Sequence, residues 1–519
     1  MDPVARHPHA PDAAFDGGDL DCGNGLLLLI RRHIDPLRPG QLLEIRSTET
    51  SVEEDLPAWC RLTGNEMVSW TREGRQRSYL VSKGPFGRLA PSSLGGSHKE
   101  SREAGSPADD RSDVDEQGSL ARSAGAAPSA DAPSRVLVRP LAVMGIGSWP
   151  RPRWLMSAMQ ERTEGRLDEA EFQSTADDAV RLAIAAQLRA GVDVVTDGEQ
   201  RRESYANFVG ARLENCQLIP LTDVLAMVED PEHLRKEFEA LDVPASEVRH
   251  PVAFGPLRRK RPLAVHELAF ARTITEKPVK VALPGPYLLS RILWMECMVD
   301  RAYATREALA ADLVHILRAE ILELIAEGAA VVQLDEPVLT EVVYGGVKHG
   351  PSFMCGALSE KGDVESELAF ARQLLSAVIR GIPRERLALH VCRGNWTPDE
   401  RAALSGDYRP LLPLLASLEV GTYLLEFCTP RAGEMDVLRE LPRDRRIGVG
   451  VVNPKNPRVE ARDEIARRMD TAIRTFGDER VLFVPDCGFA TFAHNPVASA
   501  AVAEAKLAAM SAAKKLVIG

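Results

Sequence analysis

Eight stretches of the chain are almost continuously apolar and rich in Val, Ile and Leu. They are Leu141–Gly147, Val192–Thr196, Val279–Leu283, Ala330–Leu334, Leu387–Val391, Tyr423–Phe427, Ile447–Val451 and Val481–Val484. Most are followed by helical patterns. Leu309, Leu313, Ile316, Leu317 and Leu324 recur at helical spacing before Gly328, and Leu368, Leu374, Leu375, Val378 and Ile379 do so before Gly381. Unbroken apolar strands alternating with helices predict a parallel sheet covered on both faces, and eight such units predict a (β/α)8 TIM barrel over residues 136–519. The largest insertion falls between the second and third strands, from Arg201 to Glu276.

Residues 15–90 carry a different pattern. A short strand ends near Cys22, an apolar helix runs from Leu26 to Ile34, and Gln41–Arg46 reads as a strand after the turn at Gly40. Ser51 with Glu54 three residues on predicts a capping box for a second helix ending near Gly64. Glu66–Trp70 and Ser78–Ser82 then pair across the Gly74 region. The prediction is a small two-layer α/β sandwich, preceded by a disordered stretch at 1–14. Residues 91–135 are dominated by Ser, Gly, Ala, Asp and Glu, too polar to offset the entropy of ordering, and read as a flexible linker.

Composition adds little to the fold but bounds the function. The 519 residues carry 64 basic and 75 acidic side chains, a formal charge of −11, which argues against a nucleic-acid partner. The one dense basic run, Arg258–Arg261, reads as a solvated loop. The longest obvious apolar run, Leu26–Ile30, is far short of the roughly 20 residues a membrane helix needs. No apolar signal core opens the chain, so a cytoplasmic protein with no membrane partner is expected. Eight cysteines are too few for a disulfide scaffold; in a reducing compartment, those at special positions read as ligands or nucleophiles.

In a barrel of this kind, chemistry sits where strands end. Here those ends read Gly145–Ile146–Gly147–Ser148, Asp197–Gly198–Glu199, Asp335–Glu336–Pro337, His390–Val391–Cys392, Glu426–Phe427–Cys428 and Asp486–Cys487–Gly488. His390 and Cys392 are two apart on one strand and face the same way. Glu426 falls on the neighbouring strand, and Cys487 reaches in from the eighth. One imidazole, two sulfurs and a carboxylate make a tetrahedral zinc site, with buried structural cysteine as the alternative. Cys428 reads as core. Zinc would hold a thiol as its thiolate, and Glu426 is the ligand expected to yield to an incoming sulfur.

The large unit resembles the catalytic domain of cobalamin-independent methionine synthases, in the form of that family's short core members. The resemblance rests on IGSWP at 146–150, TDGEQRR at 196–202, LPGPY at 283–287, QLDEP at 333–337, LHVCRGNW at 389–396, LLEFC at 424–428 and PDCGF at 485–489. It implies zinc held by His390, Cys392, Glu426 and Cys487. It implies a homocysteine carboxylate held by Ile146 and Ser148, and its ammonium group held by Glu199 and Asp335. Two carboxylates facing one ammonium is chemically sound. The implied reaction is methyl transfer to homocysteine, giving methionine, from methyltetrahydrofolate or a methylated corrinoid protein. Two further readings stay open: addition of a thiol to an epoxide, and a sulfur-relay protein whose zinc is structural. Asn453–Pro454–Lys455 stands where the family has an acidic His, and Phe489–Ala490–Thr491–Phe492 stands where it has basic residues. Trp294 reads equally as donor-side lining or core.

The N-terminal unit is similar to TusA-type sulfur carriers, with Cys22 as the carrier cysteine and a sulfurtransferase as the implied partner. Cys22 precedes a helix, whose dipole would lower its pKa. Cys22–Gly23–Asn24–Gly25 lacks both prolines of that family's Cys-Pro-x-Pro.

Overall fold

The structure, a computed structural model, describes residues 3–87, 138–220, 222–223, 249–294, 303–345, 363–395, 398–400 and 403–518. The linker expected at 91–135 lies outside them.

The N-terminal unit is a four-stranded sheet with two helices on one face. Strand β1 (Ala13–Asp16) ends earlier than expected. Asp16 Oδ1 accepts from Gly18 N at 2.9 Å, and Gly18 takes φ +59°, so the chain turns before Cys22. A π-helical turn, Cys22–Leu26, leads into α1 (Leu27–Ile34). Strand β2 (Leu42–Ser47) and helix α2 (Val52–Thr63) follow. The predicted capping box does not form: Ser51 is already helical and makes no side-chain cap. Glu49 Oε1 accepts from Ser51 N instead, at 3.1 Å. α2 buries Val52, Leu56, Trp59 and Cys60, a single stripe at helical spacing, and ends at Gly64 in the left-handed conformation (φ +71°). β3 (Glu66–Glu73) and β4 (Gln76–Ser82) form the hairpin around Gly74, longer than predicted. The order is β1-β2-β4-β3, with β1 and β2 parallel and the other pairs antiparallel.

The large unit closes as a barrel. A two-stranded antiparallel ribbon of β5 (Leu213–Pro220) and β6 (Arg249–Arg259) occupies the insertion. The basic run lies partly on it: Arg259 is tied to Glu320 at 2.8 Å and to Glu323, so that part is held rather than solvated. Then come β7 (Lys280–Pro284), β8 (Val331–Asp335), β9 (Leu387–Val391), β10 (Thr422–Leu425), β11 (Arg446–Val452) and β12 (Val481–Pro485), all parallel in sequential order. The first two predicted strands join by single parallel bridges. Val195 meets Val279, Met144 meets Val194, and Val143 meets Phe483, so the ring runs from β7 round to β12. Side chains replace part of the ladder there: Asp193 Oδ2 accepts from Val143 N at 2.7 Å, and the Gln187 amide bonds both Thr196 N and Thr196 O.

The outer helices bury the faces the periodicity marked. Helix Arg306–Ala326 buries Leu309, Leu313, Ile316, Leu317 and Leu324; helix Val364–Ile379 buries Leu374, Leu375, Val378 and Ile379. Trp294 packs in the same core. No helix among the described residues is long and apolar enough to cross a membrane. The small unit touches the barrel through α1: Arg31 Nε donates to Asp223 Oδ2 at 2.5 Å, and Arg32 lies 5.6 Å over the Phe254 ring.

Candidate metal centre and active site

β9 carries His390 and Cys392 to the barrel mouth on one face, and the turn after β12 brings Cys487 across to them. Cys487 Sγ is 3.5 Å from His390 Nε2 and 3.7 Å from Cys392 Sγ, and the three ligand atoms lie within 4.8 Å of one another. Tetrahedral zinc with Zn–S of about 2.3 Å requires sulfurs about 3.8 Å apart, so the spacing fits without rearrangement. The imidazole is oriented for the task. Nδ1 faces the Leu424 carbonyl at 3.0 Å and donates to it, which leaves Nε2 free as a ligand. The sulfurs share a proton: the Cys487 hydrogen bond, with His390 beside it, drives the Cys392 thiol well below its usual range, while Cys487 is pushed up. A dication would release that proton and take both sulfurs as thiolates.

A cavity adjoins this cluster, lined by Ile146, Ser148, Glu199, Asp335, Asn395 and Thr491 as well as the three ligands. Glu199 and Asp335 are both buried. Burial, opposed by Arg202 and reinforced by Asp335, raises the Glu199 carboxyl to about 7. Its Oε2 is buried without a hydrogen-bond partner. Glu199 also holds φ +55°, a strained conformation for a side chain with a Cβ. Asp197 Oδ1 accepts from its N at 3.0 Å and Arg151 Nη2 donates to its carbonyl at 2.7 Å, fixing the turn. Gly147 makes room: a Cβ there would lie 2.1 Å from Glu199 Oε1. Ser148 Oγ faces the cavity close to Gly488, and Ala490 N donates to it at 3.3 Å.

The pattern described as "Cobalamin-independent synthase, Catalytic domain" matches residues 141–355 and 384–513, more than half of the chain. The chain belongs to the cobalamin-independent synthase family. Its barrel is the catalytic domain of a methionine-synthase-like methyltransferase. Curated relatives named methionine synthase include those of Sulfurisphaera tokodaii and Thermococcus kodakarensis, each 26% identical over 344 residues. The match covers 66% of this chain and 84% and 85% of theirs. In fold, the chain resembles a B12-independent methionine synthase from Shewanella sp. W3-18-1 solved with selenomethionine (TM-score 0.54, 22% identity, 73% of this chain and 98% of that one). It also resembles a putative one from Listeria monocytogenes (TM-score 0.52, 18% identity, 74% and 99%).

Of the four ligands expected from the cobalamin-independent synthase motifs, three converge and one does not. Glu426 stands outside the cluster. β10 ends at Leu425, and the carboxylate is claimed by neighbours: Arg431 Nε donates to Oε1 at 2.9 Å and Arg393 N to Oε2 at 2.9 Å. An ion pair with a half-buried guanidinium competes with any metal for the same oxygen. Arg431 in turn reaches Glu400, which also accepts from Asn453 Nδ2. Lys455, beside this group, is buried, and burial with Arg431 lowers its pKa. Cys428 lies outside the cluster, its backbone N donating to Asp486 Oδ1 at 2.8 Å. Trp294 is core and does not line this cavity.

Sequence reasoning missed Asn395, Gln333 and Lys280. Asn395 stands in the quoted LHVCRGNW stretch, with Nδ2 donating to Gly488 O at 2.6 Å. Lys280 was legible only as a charge inside an apolar strand. The expectation for Cys22 is corrected: it is buried, and burial, followed by Asp55, Asp21 and Cys60, raises its thiol to about 12 rather than lowering it.

Proposed function

We propose that this enzyme transfers a methyl group to the sulfur of homocysteine, forming methionine, with zinc held by His390, Cys392 and Cys487. The reading is carried by one juxtaposition: three soft ligands and two buried carboxylates line the same cavity. A structural zinc site would be closed on all sides, whereas this one lines a cavity that it shares with Glu199, Asp335 and Ser148. Bound there, zinc would stabilise the substrate sulfur as a thiolate near neutral pH. Glu199 and Asp335 hold the α-ammonium group in charge-assisted hydrogen bonds. Ser148, with the backbone at Ile146, holds the carboxylate. Together they fix the sulfur's distance and direction, and the aromatic side chains of Tyr205 and Phe492, which line the cavity, keep water from the transferring carbon. Glu426 is a reserve oxygen ligand, available when Arg431 lets go. The methyl donor is a methylated folate or a methylated corrinoid protein.

The test is metal analysis combined with turnover. Purified protein should carry about one zinc per chain. It should convert homocysteine to methionine, followed by mass spectrometry, with one of the two donors. Cys487→Ser should leave the zinc below stoichiometry and abolish conversion. Full zinc content and unchanged turnover in that variant would refute the assignment. Consumption of an epoxide with homocysteine, and of neither methyl donor, would move the electrophile to the epoxide.

A further inference from the structure

Inside the barrel, beneath the two carboxylates, lies a lysine that no part of the reaction above uses. Lys280 is the first residue of β7, and its side chain is almost fully buried at 1% exposure. A buried ammonium in a barrel bore is costly unless every proton finds an acceptor. Two of its three protons have acceptors. Nζ donates to the Ile146 carbonyl at 2.6 Å and to Gln333 Oε1. Gln333 is itself wholly buried, and its Nε2 donates to Asp335 Oδ1 at 2.6 Å.

The chemistry of this chain has a direction. An ammonium can only donate, so the Gln333 amide must turn its oxygen to Lys280. Its NH2 is thereby forced toward Asp335. Without Lys280 the amide could flip, presenting oxygen to a carboxylate and repelling it. One Asp335 oxygen is therefore committed to Gln333, leaving the other for a ligand. The same ammonium pins the carbonyl of Ile146, on the opposite arm of the cavity. Burial lowers the Lys280 pKa to about 7, and Asp335, then Glu199, oppose that drop, so the two carboxylates in their ionised form are what keep Lys280 an ammonium. Two carboxylates and one ammonium leave room for a single further positive charge.

We propose that Lys280 is a positioning residue that acts through Gln333 to aim Asp335 at the α-ammonium group, so that the cavity selects an amino acid over an otherwise identical carboxylic acid. The proposal rests on the amino-acid reading of the cavity given above. Its test separates the two. Binding of L-methionine and of 4-(methylthio)butanoate, which lacks only the amine, is measured by calorimetry on the full zinc-loaded chain. The variants are Lys280→Met and the double variant Lys280→Met with Gln333→Met. The double variant replaces the whole polar pair by apolar groups of similar size and guards against a folding failure. Both ligands share the carboxylate arm, so loss at Ile146 weakens them equally; loss at Asp335 falls on L-methionine alone. The expected result is a loss for L-methionine about tenfold greater than for the analogue, and no larger in the double variant than in the single. Equal losses for the two ligands, or no loss, would overturn the role of Lys280. A wild-type chain that binds L-methionine no better than the analogue would overturn the amino-acid reading, and the relay with it.

Discussion

Glu199 shows how much a single residue's environment decides. Its backbone is strained at φ +55°, its Oε2 lacks a partner, and burial raises its carboxyl to about 7. A carboxyl raised above its ordinary range holds its proton in the folded state. Its contribution to stability is therefore complete below about pH 4.5 and is lost as pH rises through about 7. The α-ammonium of a ligand selects the opposite, ionised form. Affinity for L-methionine should therefore climb as pH rises from about 5.5, levelling off above about 7. Glu199→Gln, which mimics the protonated form, should bind more weakly at neutral pH, approach the wild type toward acid and lose that step. Calorimetry across the range decides it, and an affinity that rises toward acid would reverse the assignment. Residues of this kind were legible from type and position: Asp–Gly–Glu at a strand end, or His-x-Cys on one strand. Glu426 shows the limit. Its place was legible, but its partner was not, because Arg431 lies in a short 3-10 turn whose direction no periodicity reveals.

At the scale of elements, unbroken apolar runs located six strands to within a residue or two, since burial on both faces leaves a signal of its own. The first two strands were legible as apolar runs but are tied by single bridges, with side-chain acceptors standing in for ladder partners. The capping box at Ser51 failed for a related reason: Glu49, two residues upstream, reaches the backbone first. Long-range polar ties are the least legible of all. Arg202 follows the second strand, yet it donates to Ala282 O on β7 at 2.9 Å and to Glu267 Oε2 at 2.6 Å on helix Val265–Ile274. Both partners of that ion pair have 1% side-chain exposure. Glu267→Gln should leave a guanidinium buried without its counter-charge, at a cost of about 3–5 kcal/mol. Urea unfolding followed by circular dichroism measures it. A loss under about 1 kcal/mol would mean that water or another acidic group, such as Glu199, takes over.

The whole molecule sets a small sandwich beside a large catalytic barrel, and the question at that scale is whether the sandwich contributes chemistry. Cys22 is the group that would do so, and the fold works against it. A thiol serves as nucleophile or sulfur carrier when it is exposed and its thiolate is stabilised. Cys22 is 7% exposed, packs in the sandwich core with Cys60, and has Asp55 and Asp21 nearby, which raise its pKa further. The helix dipole expected to oppose this begins with a π-helical turn, whose wider hydrogen bonding does not present a tight ring of N–H groups to the sulfur. The candidate site is built from the barrel's own strand ends, and the sandwich meets the barrel through Arg32 over Phe254 on β6 and through Arg31 on Asp223, just after β5. Cys22→Ala should therefore leave methionine formation unchanged. In the intact chain, iodoacetamide at neutral pH should label Cys22 at least about a hundredfold more slowly than a free cysteine, because almost none of it is thiolate. Peptide mapping over a time course gives both rates. Rapid labelling would show that the sandwich opens in solution, and a methionine yield that falls with Cys22→Ala would show that it takes part in the reaction.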